Sequence, residues 1–391
     1  LKILILSFHF QPDLSAGSFR NTALVDALQK KLPEGSHIEV MTTLPNRYAS
    51  FSVEAPKKEE RPQLTVHRIA LPSHQSGMLD QSKAFLSYAF QVNKLIKNKD
   101  YDVVYASSSR LMTAALGAWV ARRKNLPLYL DIRDIFVDTI KDVLSKKLVW
   151  LMKPVFSLVE RWTIRRAIKV NLVSGGFLPY FQARYPNKRF SLFTNGIDEA
   201  FLEAQPAVSH ACNRDIPEVV YAGNMGEGQG LHHIIPSLAK HYEGKLSFKL
   251  LGDGGRRKQL MEAIESAGCP NVELMPPVSR KELIAIYQNA DVLFLHLNDY
   301  DAFKKVLPSK IFEYAAVGKP LWAGVGGFSA SFIQDNIDNA AVFPPCDLQA
   351  AIDSFSNLKL VTQPRPDFTL RFARTEIMKG LADDLLLLVN R

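Results

Sequence analysis

Leu307-Pro308-Ser309-Lys310-Ile311-Phe312-Glu313-Tyr314-Ala315-Ala316-Val317-Gly318-Lys319-Pro320 reads as a short helix between two loops. Pro308 suits a first turn, where its missing N–H costs nothing, and Gly318 followed by Pro320 marks the end. Ser309, Lys310 and Glu313 stand three or four residues apart, so they lie on adjoining parts of one face. The free N–H groups and the dipole at a helix N-terminus attract phosphate. Glu313, about 6 Å further along the axis at 1.5 Å per residue, is placed to accept hydrogen bonds from a ribose diol. A surface helix with a solvated Glu and Lys is the plainer alternative.

Outward from this helix, apolar runs alternate with helical segments. In the second half the strands are Val219–Ala222, Ser247–Leu251, Val272–Leu274, Val292–Leu295, Leu321–Ala323 and Ala341–Phe343. In the first half they are Leu1–Ser7, His37–Thr42, Leu64–Ile69, Asp102–Ala106, Pro127–Asp131 and Ile168–Val173, with a helix from about Gly17 to Lys31. Continuous apolar runs are the mark of parallel strands covered on both faces. The fold class is therefore α/β, in two Rossmann-like halves. At 391 residues the chain exceeds one ordinary core. The expected division is a first domain over residues 1–200, a linker over 201–216 with Pro206 and no periodicity, a second domain over 217–368, and a final amphipathic helix over 369–391.

Composition excludes several classes. Apolar content of 47% and charged content of 22% fit a soluble globular protein. Cys212, Cys269 and Cys346 lie far apart, so neither a disulfide framework nor a zinc site is indicated and a reducing cytoplasm fits. Leu1 to Leu6 is too short for a signal peptide or a membrane span and reads as a first buried strand. The net charge of +9 favours anionic partners such as sugar nucleotides or lipid headgroups. No aromatic-basic RNA signature accompanies it, so a nucleic-acid partner is not expected.

Several stretches carry candidate chemistry. The loop Phe8 to Gly17 runs from strand to helix, and Gly17 either lets backbone approach a ligand or only makes a turn. Tyr129-Leu130-Asp131-Ile132-Arg133-Asp134 ends a strand in three charges, a functional cluster or a loop-closing pair. Residues 141–169 mix Trp150, Val155, Phe156, Leu158 and Trp162 with Lys146, Lys147, Lys153, Arg161, Arg165 and Arg166, and hold Pro154. This is the makeup of an interfacial helix, and equally of a helix packed on a sheet with a solvated basic side. Gly223-Asn224-Met225-Gly226-Glu227-Gly228-Gln229-Gly230 is Gly-rich but lacks the spacing of a dinucleotide fingerprint. Gly252-Asp253-Gly254 is a turn, Ser279-Arg280-Lys281-Glu282 is a capping box, and His296 ends a strand where a satisfied structural histidine is the plain reading.

Taken together these stretches resemble the retaining glycosyltransferases of family 4, which have the GT-B fold, two Rossmann-like domains facing each other across a cleft. In that family a Glu, seven residues and a second Glu precede Gly-Lys-Pro. Glu313 matches the second, the ribose holder, and Lys305 stands at the first. Phe193-Thr194-Asn195-Gly196-Ile197-Asp198 matches the family's Asn-Gly-Val/Ile-Asp, which ends the first domain and lines the cleft with Asn195. The resemblance implies that Gly17, Gly223, Gly252 and Gly254 meet the donor, that Val278 contacts the base, and that Arg133 and Asp134 shape the acceptor side. It also implies a departure. The family's two phosphate-binding basic residues are here Asn224 and Gln229, and a subgroup that builds bacterial surface polysaccharides such as O-antigen or capsule looks the same.

The resemblance implies transfer of a sugar, with retention, from a nucleoside-diphosphate sugar, a UDP-sugar first, to a lipid-linked or oligosaccharide acceptor. The donor is a substrate, so no cofactor is expected, and the resemblance implies that the reaction needs no metal. Lys310 would neutralise the leaving group with Ser309 beside it. A peripheral place on the inner face of the cytoplasmic membrane goes with such an acceptor. An epimerase or hydrolase of nucleotide sugars, and a catalytically silent sugar-nucleotide-binding partner, are the alternatives.

Overall fold

The computed structural model describes residues 1–13, 15–45, 54–72, 78–108, 111–135, 137 and 146–389. The chain divides into two compact units, Leu1–Asn195 with Arg374–Arg391, and Gly196–Ala373. The segment expected as a linker, 201–216, falls within the second unit. It begins in a helix over Glu199–Glu203 and carries His210–Ala211, a two-residue strand antiparallel to Val361–Thr362.

Unit 1 is built on an eight-stranded sheet in the order β3-β4-β2-β1-β5-β6-β7-β8. Its strands are β1 (Lys2–Ser7), β2 (His37–Thr43), β3 (Lys58–Arg61), β4 (Leu64–Ile69), β5 (Val103–Ser108), β6 (Leu128–Ile132), β7 (Lys169–Leu172) and β8 (Phe190–Ser191). All pairings are parallel except β3 with β4. Helices α1 (Ala16–Lys31), α2 (Met78–Ile96), α3 (Leu111–Arg123) and α4 (Lys146–Arg166) are the crossovers, and α5 (Leu178–Arg184) precedes β8. Passing from β1 to β2 the chain steps toward β3, whereas β4 to β5, β5 to β6 and β6 to β7 all step toward β8. Right-handed crossovers therefore put α1 on one face of the sheet and α2, α3 and α4 on the other. Ile3, Ile5, Val103 and Tyr105 of the sheet pack with Leu24 and Leu28 of α1 and with Met378, Leu381 and Leu385 of the last helix.

The segment expected as one C-terminal helix is two. Pro366–Phe372 ends at Ala373, whose ψ of 125° leaves the helical region, and a second helix runs over Arg374–Leu386. The second belongs to unit 1, and Asp384 docks it. Its carboxylate accepts from Tyr129 Oη at 2.7 Å and from Ser191 Oγ at 2.7 Å, and pairs with Lys169. Hydrogen bonds to a charged group contribute roughly 1.5–3 kcal/mol each, so one buried carboxylate fixes the register of the helix.

Unit 2 has a six-stranded parallel sheet in the order β12-β11-β10-β13-β14-β15 and a two-stranded one of β9 (His210–Ala211) and β16 (Val361–Thr362). The six are β10 (Glu218–Asn224), β11 (Ser247–Asp253), β12 (Val272–Met275), β13 (Val292–His296), β14 (Leu321–Gly324) and β15 (Ala340–Phe343). In chain order its helices are α6 (Glu199–Glu203), α7 (Leu231–His241), α8 (Arg257–Ala267), α9 (Arg280–Asn289), α10 (Lys310–Ala316), α11 (Gly327–Asn336), α12 (Leu348–Phe355) and α13 (Pro366–Phe372), and the last helix of the chain, Arg374–Leu386, is α14. The steps from β10 to β11 and β12 go one way, and from β12 on through β15 the other. By the same handedness α7 and α8 share one face while α9, α10 and α11 share the other.

Of the expected basic-apolar stretch, residues 141–145 lie outside the described residues, as do the side chains of Leu148, Val149 and Leu151. The rest belongs to α4, which runs through Pro154. Its inner side buries Glu160, Thr163 and Ile164, and its outer side leaves Trp150, Val155 and Leu158 exposed. The packed reading holds for the inner side of the helix, and its outward apolar side chains stay in solvent.

Candidate active site

In an open parallel sheet, ligands bind beyond the carboxyl ends of the strands where the direction of winding reverses. In unit 2 that point lies between β10 and β13. β10 ends in Gly223 and Asn224, β13 ends in His296, and β11 beside β10 ends in Gly252 and Asp253. Helices α9 and α10, on one face, start at this same edge with Arg280 and Lys310. In unit 1 the reversal lies between β1 and β5, at Ser7 and Ser107, where the loop to α1 begins. Each unit thus offers one edge, and the sequence-predicted residues fall on these two.

On unit 2, Lys310 stretches across Gly223. A Cβ at Gly223 would overlap Lys310 Cε and stand 3.0 Å from Nζ, and the φ of +154° there also favours glycine. Lys310 is half-buried, and no hydrogen bond joins its ammonium to another described residue. Burial holds its pKa below the ordinary 10.5, assisted by Arg280 and opposed by Glu313. Glu313, half-buried one turn along, feels Lys310 and Arg280 alike. Ser309 caps α10 without a side-chain bond to it, and the helix is only seven residues long. Arg365 closes the other end of α10, donating to the carbonyls of Ala315 at 3.1 Å and Lys319 at 3.0 Å. The helix that carries position 310 is therefore anchored at its C-terminal end.

Asn224 and Gln229 meet each other. Asn224 Nδ2 donates to Gln229 Oε1 at 2.7 Å, and the Gly226 N–H donates to the same oxygen at 3.2 Å. The expected pair of polar donors thus spends part of its capacity bracing its own loop. His296 braces it from below. Its Nδ1 donates to the Gln229 carbonyl at 2.7 Å and its Nε2 accepts from the Cys346 N–H at 3.0 Å, which fixes the tautomer. Burial pushes its pKa down to about 4, with the Gln229 carbonyl working against that. This is the satisfied, neutral histidine of the plain reading. Gly252 and Gly254 sit against the backbone of Gly223 and Met225, so tight chain packing accounts for both. Val278 is half-buried just before the Ser279–Glu282 capping box, which forms as expected with Ser279 Oγ accepting from the Glu282 N–H at 3.3 Å.

Arg280 is the residue that sequence reasoning passed over, because it hid inside the capping box. It pairs with Asp198 of the Asn-Gly-Ile-Asp stretch and lies over the Phe201 ring, 5.0 Å from its centroid. Lys304, a further cation before α10, is exposed and held by Asp301 at 2.9 Å. Glu227, His232 and His233 place ligand-type atoms within 4.8 Å of one another. Both Glu227 oxygens are already engaged, by Tyr300 Oη at 2.6 Å and Arg256 Nε at 2.6 Å, so the carboxylate serves the loop.

On unit 1, Gly17 and Arg133 come together: a Cβ at Gly17 would overlap the Arg133 guanidinium. Asp134 is exposed beside it. Asp131 does not join them as an open charge cluster. It is wholly buried and bound to Arg20 and Asn171. Asn195 is buried with its carbonyl bonded to Arg374 Nε at 2.8 Å, and its Oδ1 has no partner among the described residues.

Comparison with known proteins agrees with this division. Residues 23–196 match the family described as "Glycosyl transferase 4-like domain", and residues 208–365 the one described as "Glycosyl transferases group 1". Over 108 residues the chain is 32% identical to WcaI of Escherichia coli (strain K12), a protein named as a colanic acid biosynthesis glycosyl transferase. That match spans 27% of this chain and only 26% of the relative's length. Among solved structures, WaaG, a glycosyltransferase involved in lipopolysaccharide biosynthesis, aligns over 99% of this chain and 97% of its own at 16% identity and a TM-score of 0.65. Anabaena Alr3699/HepE, solved in complex with UDP-glucose, aligns over 98% and 99% at 14% identity and a TM-score of 0.64. Identities this low speak for the fold. The chain thus has the GT-B fold of these structures, with residues 23–196 of unit 1 similar to the glycosyl transferase 4-like family and residues 208–365 of unit 2 similar to the group 1 family.

Proposed function

We propose that the protein is a retaining, metal-independent glycosyltransferase that moves a hexosyl or N-acetylhexosaminyl group from a UDP-sugar to a lipid-linked or oligosaccharide acceptor in the synthesis of a bacterial surface polysaccharide. The observation that carries this reading is the half-buried Lys310 ammonium, laid across Gly223 at the winding reversal of unit 2 with no hydrogen-bond partner among the described residues and Glu313 one turn away. As the bond from the anomeric carbon to the phosphate oxygen breaks, negative charge grows on the diphosphate. A positioned cation in a partly enclosed site stabilises that charge. Glu313 holds the ribose diol, Ser309 and the loop at Gly223 lie by the phosphates, and the acceptor proton passes to the departing phosphate oxygen. Gly17 and Asn195 approach the donor from unit 1, and Arg133 and Asp134 shape the acceptor side. Complexes of HepE with UDP-glucose, and the naming of WaaG for lipopolysaccharide and WcaI for colanic acid, support the donor and the pathway class. The place of action follows: the inner face of the cytoplasmic membrane, from the cytoplasm.

One observation favours a second reading, a silent sugar-nucleotide-binding partner: Asn224 and Gln229 bond to each other where relatives present two cations. Calorimetric titration of UDP, GDP and ADP separates the cases. Tight binding of UDP that weakens by about 1–3 kcal/mol in Glu313→Ala is expected, with turnover of a UDP-sugar on membrane acceptor in the presence of a chelator. Binding without any turnover supports the silent partner. No binding of any of the three to the unsubstituted protein removes the proposal.

A further inference from the structure

The winding of unit 1 gathers α2, α3 and α4 side by side on one face of its sheet, and each turns apolar side chains outward. Leu86 and Phe90 on α2 are 65% and 68% exposed and four residues apart. Met112 and Trp119 on α3 are seven apart, and Trp150, Val155 and Leu158 on α4 are exposed, Trp150 to 81%. The spacings put Leu86 with Phe90 and Met112 with Trp119 each on one stripe, while Trp150, Leu158 and Val155 spread over roughly 140° of the outward side of α4. The helices adjoin: Asn93 and Ile96 of α2 line a groove with Trp119 and Arg123 of α3, and Arg166 of α4 donates to the Ala121 carbonyl at 2.9 Å. Single exposed apolar residues are ordinary, but seven across three neighbouring helices make a patch of the kind that marks an interaction surface.

Charge says what covers it. All three helices connect parallel strands, so they run the same way and their C-terminal ends share one edge. At that edge stand Lys94 and Lys97, then Arg122 and Arg123, then Arg161 and Arg165, all exposed. Among the described side chains of the three helices the one carboxylate is Glu160, which is buried and accepts from Tyr180 and Tyr185. The face is an apolar band with a mainly cationic margin: the described side chains of the three helices include no exposed acid, and Asp100 and Asp102, exposed after α2, are the acids near the margin. A second copy of the chain meeting this patch with its own patch would bring like charges together. An anionic bilayer meets it with acidic headgroups against the margin and interfacial lipid against Trp and Phe.

We propose that unit 1 docks on anionic lipid bilayers through the joint face of α2, α3 and α4, with Phe90 and Trp150 entering the interface and Arg122, Arg123, Arg161 and Arg165 over the headgroups. This deepens the membrane-surface reading above by naming the face and the lipid class. It is tested by sedimentation with vesicles of phosphatidylcholine alone and of phosphatidylcholine mixed with phosphatidylglycerol. The full chain is expected to partition about tenfold more onto the mixed vesicles at low salt, and to lose that preference as salt rises. Arg161→Glu with Arg165→Glu should abolish binding, and Phe90→Ser with Trp150→Ser should weaken it severalfold, while thermal melts and UDP titrations stay as in the unsubstituted protein. A blue shift of tryptophan emission on mixed vesicles should shrink in Trp150→Phe. Equal or absent binding to the two vesicle types overturns the proposal, as does a dimer in light scattering that the same substitutions dissolve. Normal UDP binding with failed vesicle binding would remove the docking face and leave the transferase reading standing.

Discussion

The Arg20 guanidinium and the Asp131 carboxylate face each other inside unit 1, Nε to Oδ2 and Nη2 to Oδ1 both at 2.8 Å, with neither side chain reaching solvent. The same guanidinium donates to the carbonyls of Phe193 at 2.8 Å and Thr194 at 2.5 Å, just before Asn195. The pair therefore fixes the last stretch of chain before unit 2. Removing one partner strands a buried charge, so Arg20→Ala should cost about 3–5 kcal/mol in urea unfolding. The combined Arg20→Met, Asp131→Leu variant should lose clearly less than the two single losses summed. An exposed-pair cost below about 1 kcal/mol for Arg20→Ala would contradict the burial.

Lys310 predicts a proton linkage. Its pKa lies below 10.5 mainly through burial, and a phosphate beside Nζ would raise it. Nucleotide binding should therefore take up protons at alkaline pH, and affinity should fall as pH climbs through the lowered value. Titrations in buffers of different ionisation enthalpy read the uptake directly. Lys310→Met should bind UDP at least tenfold more weakly, about 1.4 kcal/mol, and show no such uptake. Gly223→Ala should reproduce the weaker binding, because its methyl displaces the lysine.

The Asn224–Gln229 bond predicts a gain. Asn224→Arg together with Gln229→Lys restores the two charges of the wider family and removes the brace. If the diphosphate lies by this loop, UDP affinity should rise several-fold and become more sensitive to salt. Unchanged affinity in the double variant would place the phosphates elsewhere.

Acid should weaken the two units in separate windows. His296 in unit 2 falls from 6.5 to about 4 through burial. The unfolded chain binds its proton first, so the stability tied to neutral His296 is full above 6.5 and lost as pH drops toward 4, on the order of 3 kcal/mol. In unit 1 burial alone would raise Glu39, but hydrogen bonds from His67, Lys99 and Tyr101 bring it from 4.5 to about 2. Its contribution, roughly 2–3 kcal/mol, is present above 4.5 and lost as pH falls toward 2. Urea melts at stepped pH, with Glu39→Gln as control, should show the lower window flatten and the upper one persist.

The long apolar strands were legible because parallel strands covered on both faces read as unbroken runs, as at Leu64–Ile69, where expected and observed limits coincide. The edge strand Lys58–Arg61 was not, since four consecutive charges carry no apolar period and its place comes from pairing with β4. Arg20 was invisible for a related reason. A lone arginine on an amphipathic helix looks solvated until Asp131, far along the chain, is folded against it. Lys310 and Glu313 were readable because helical spacing is local, whereas the pairing of Arg280 with Asp198 is a long-range match that no local period announces. Leu86 and Phe90 carry no signal of exposure in their own sequence; the folded unit leaves them facing outward.

The chain leaves unit 1 at Asn195 and returns to it at Arg374. Between them, Ile197 and Ala373 are bridged as neighbours, with the Ile197 N–H donating to the Phe372 carbonyl at 2.8 Å. The 196–373 segment therefore starts and stops at one spot, like a cartridge with both contacts on the same end. Such a segment can be exchanged between relatives by two crossovers, one at each junction, without rethreading the host that both junctions share.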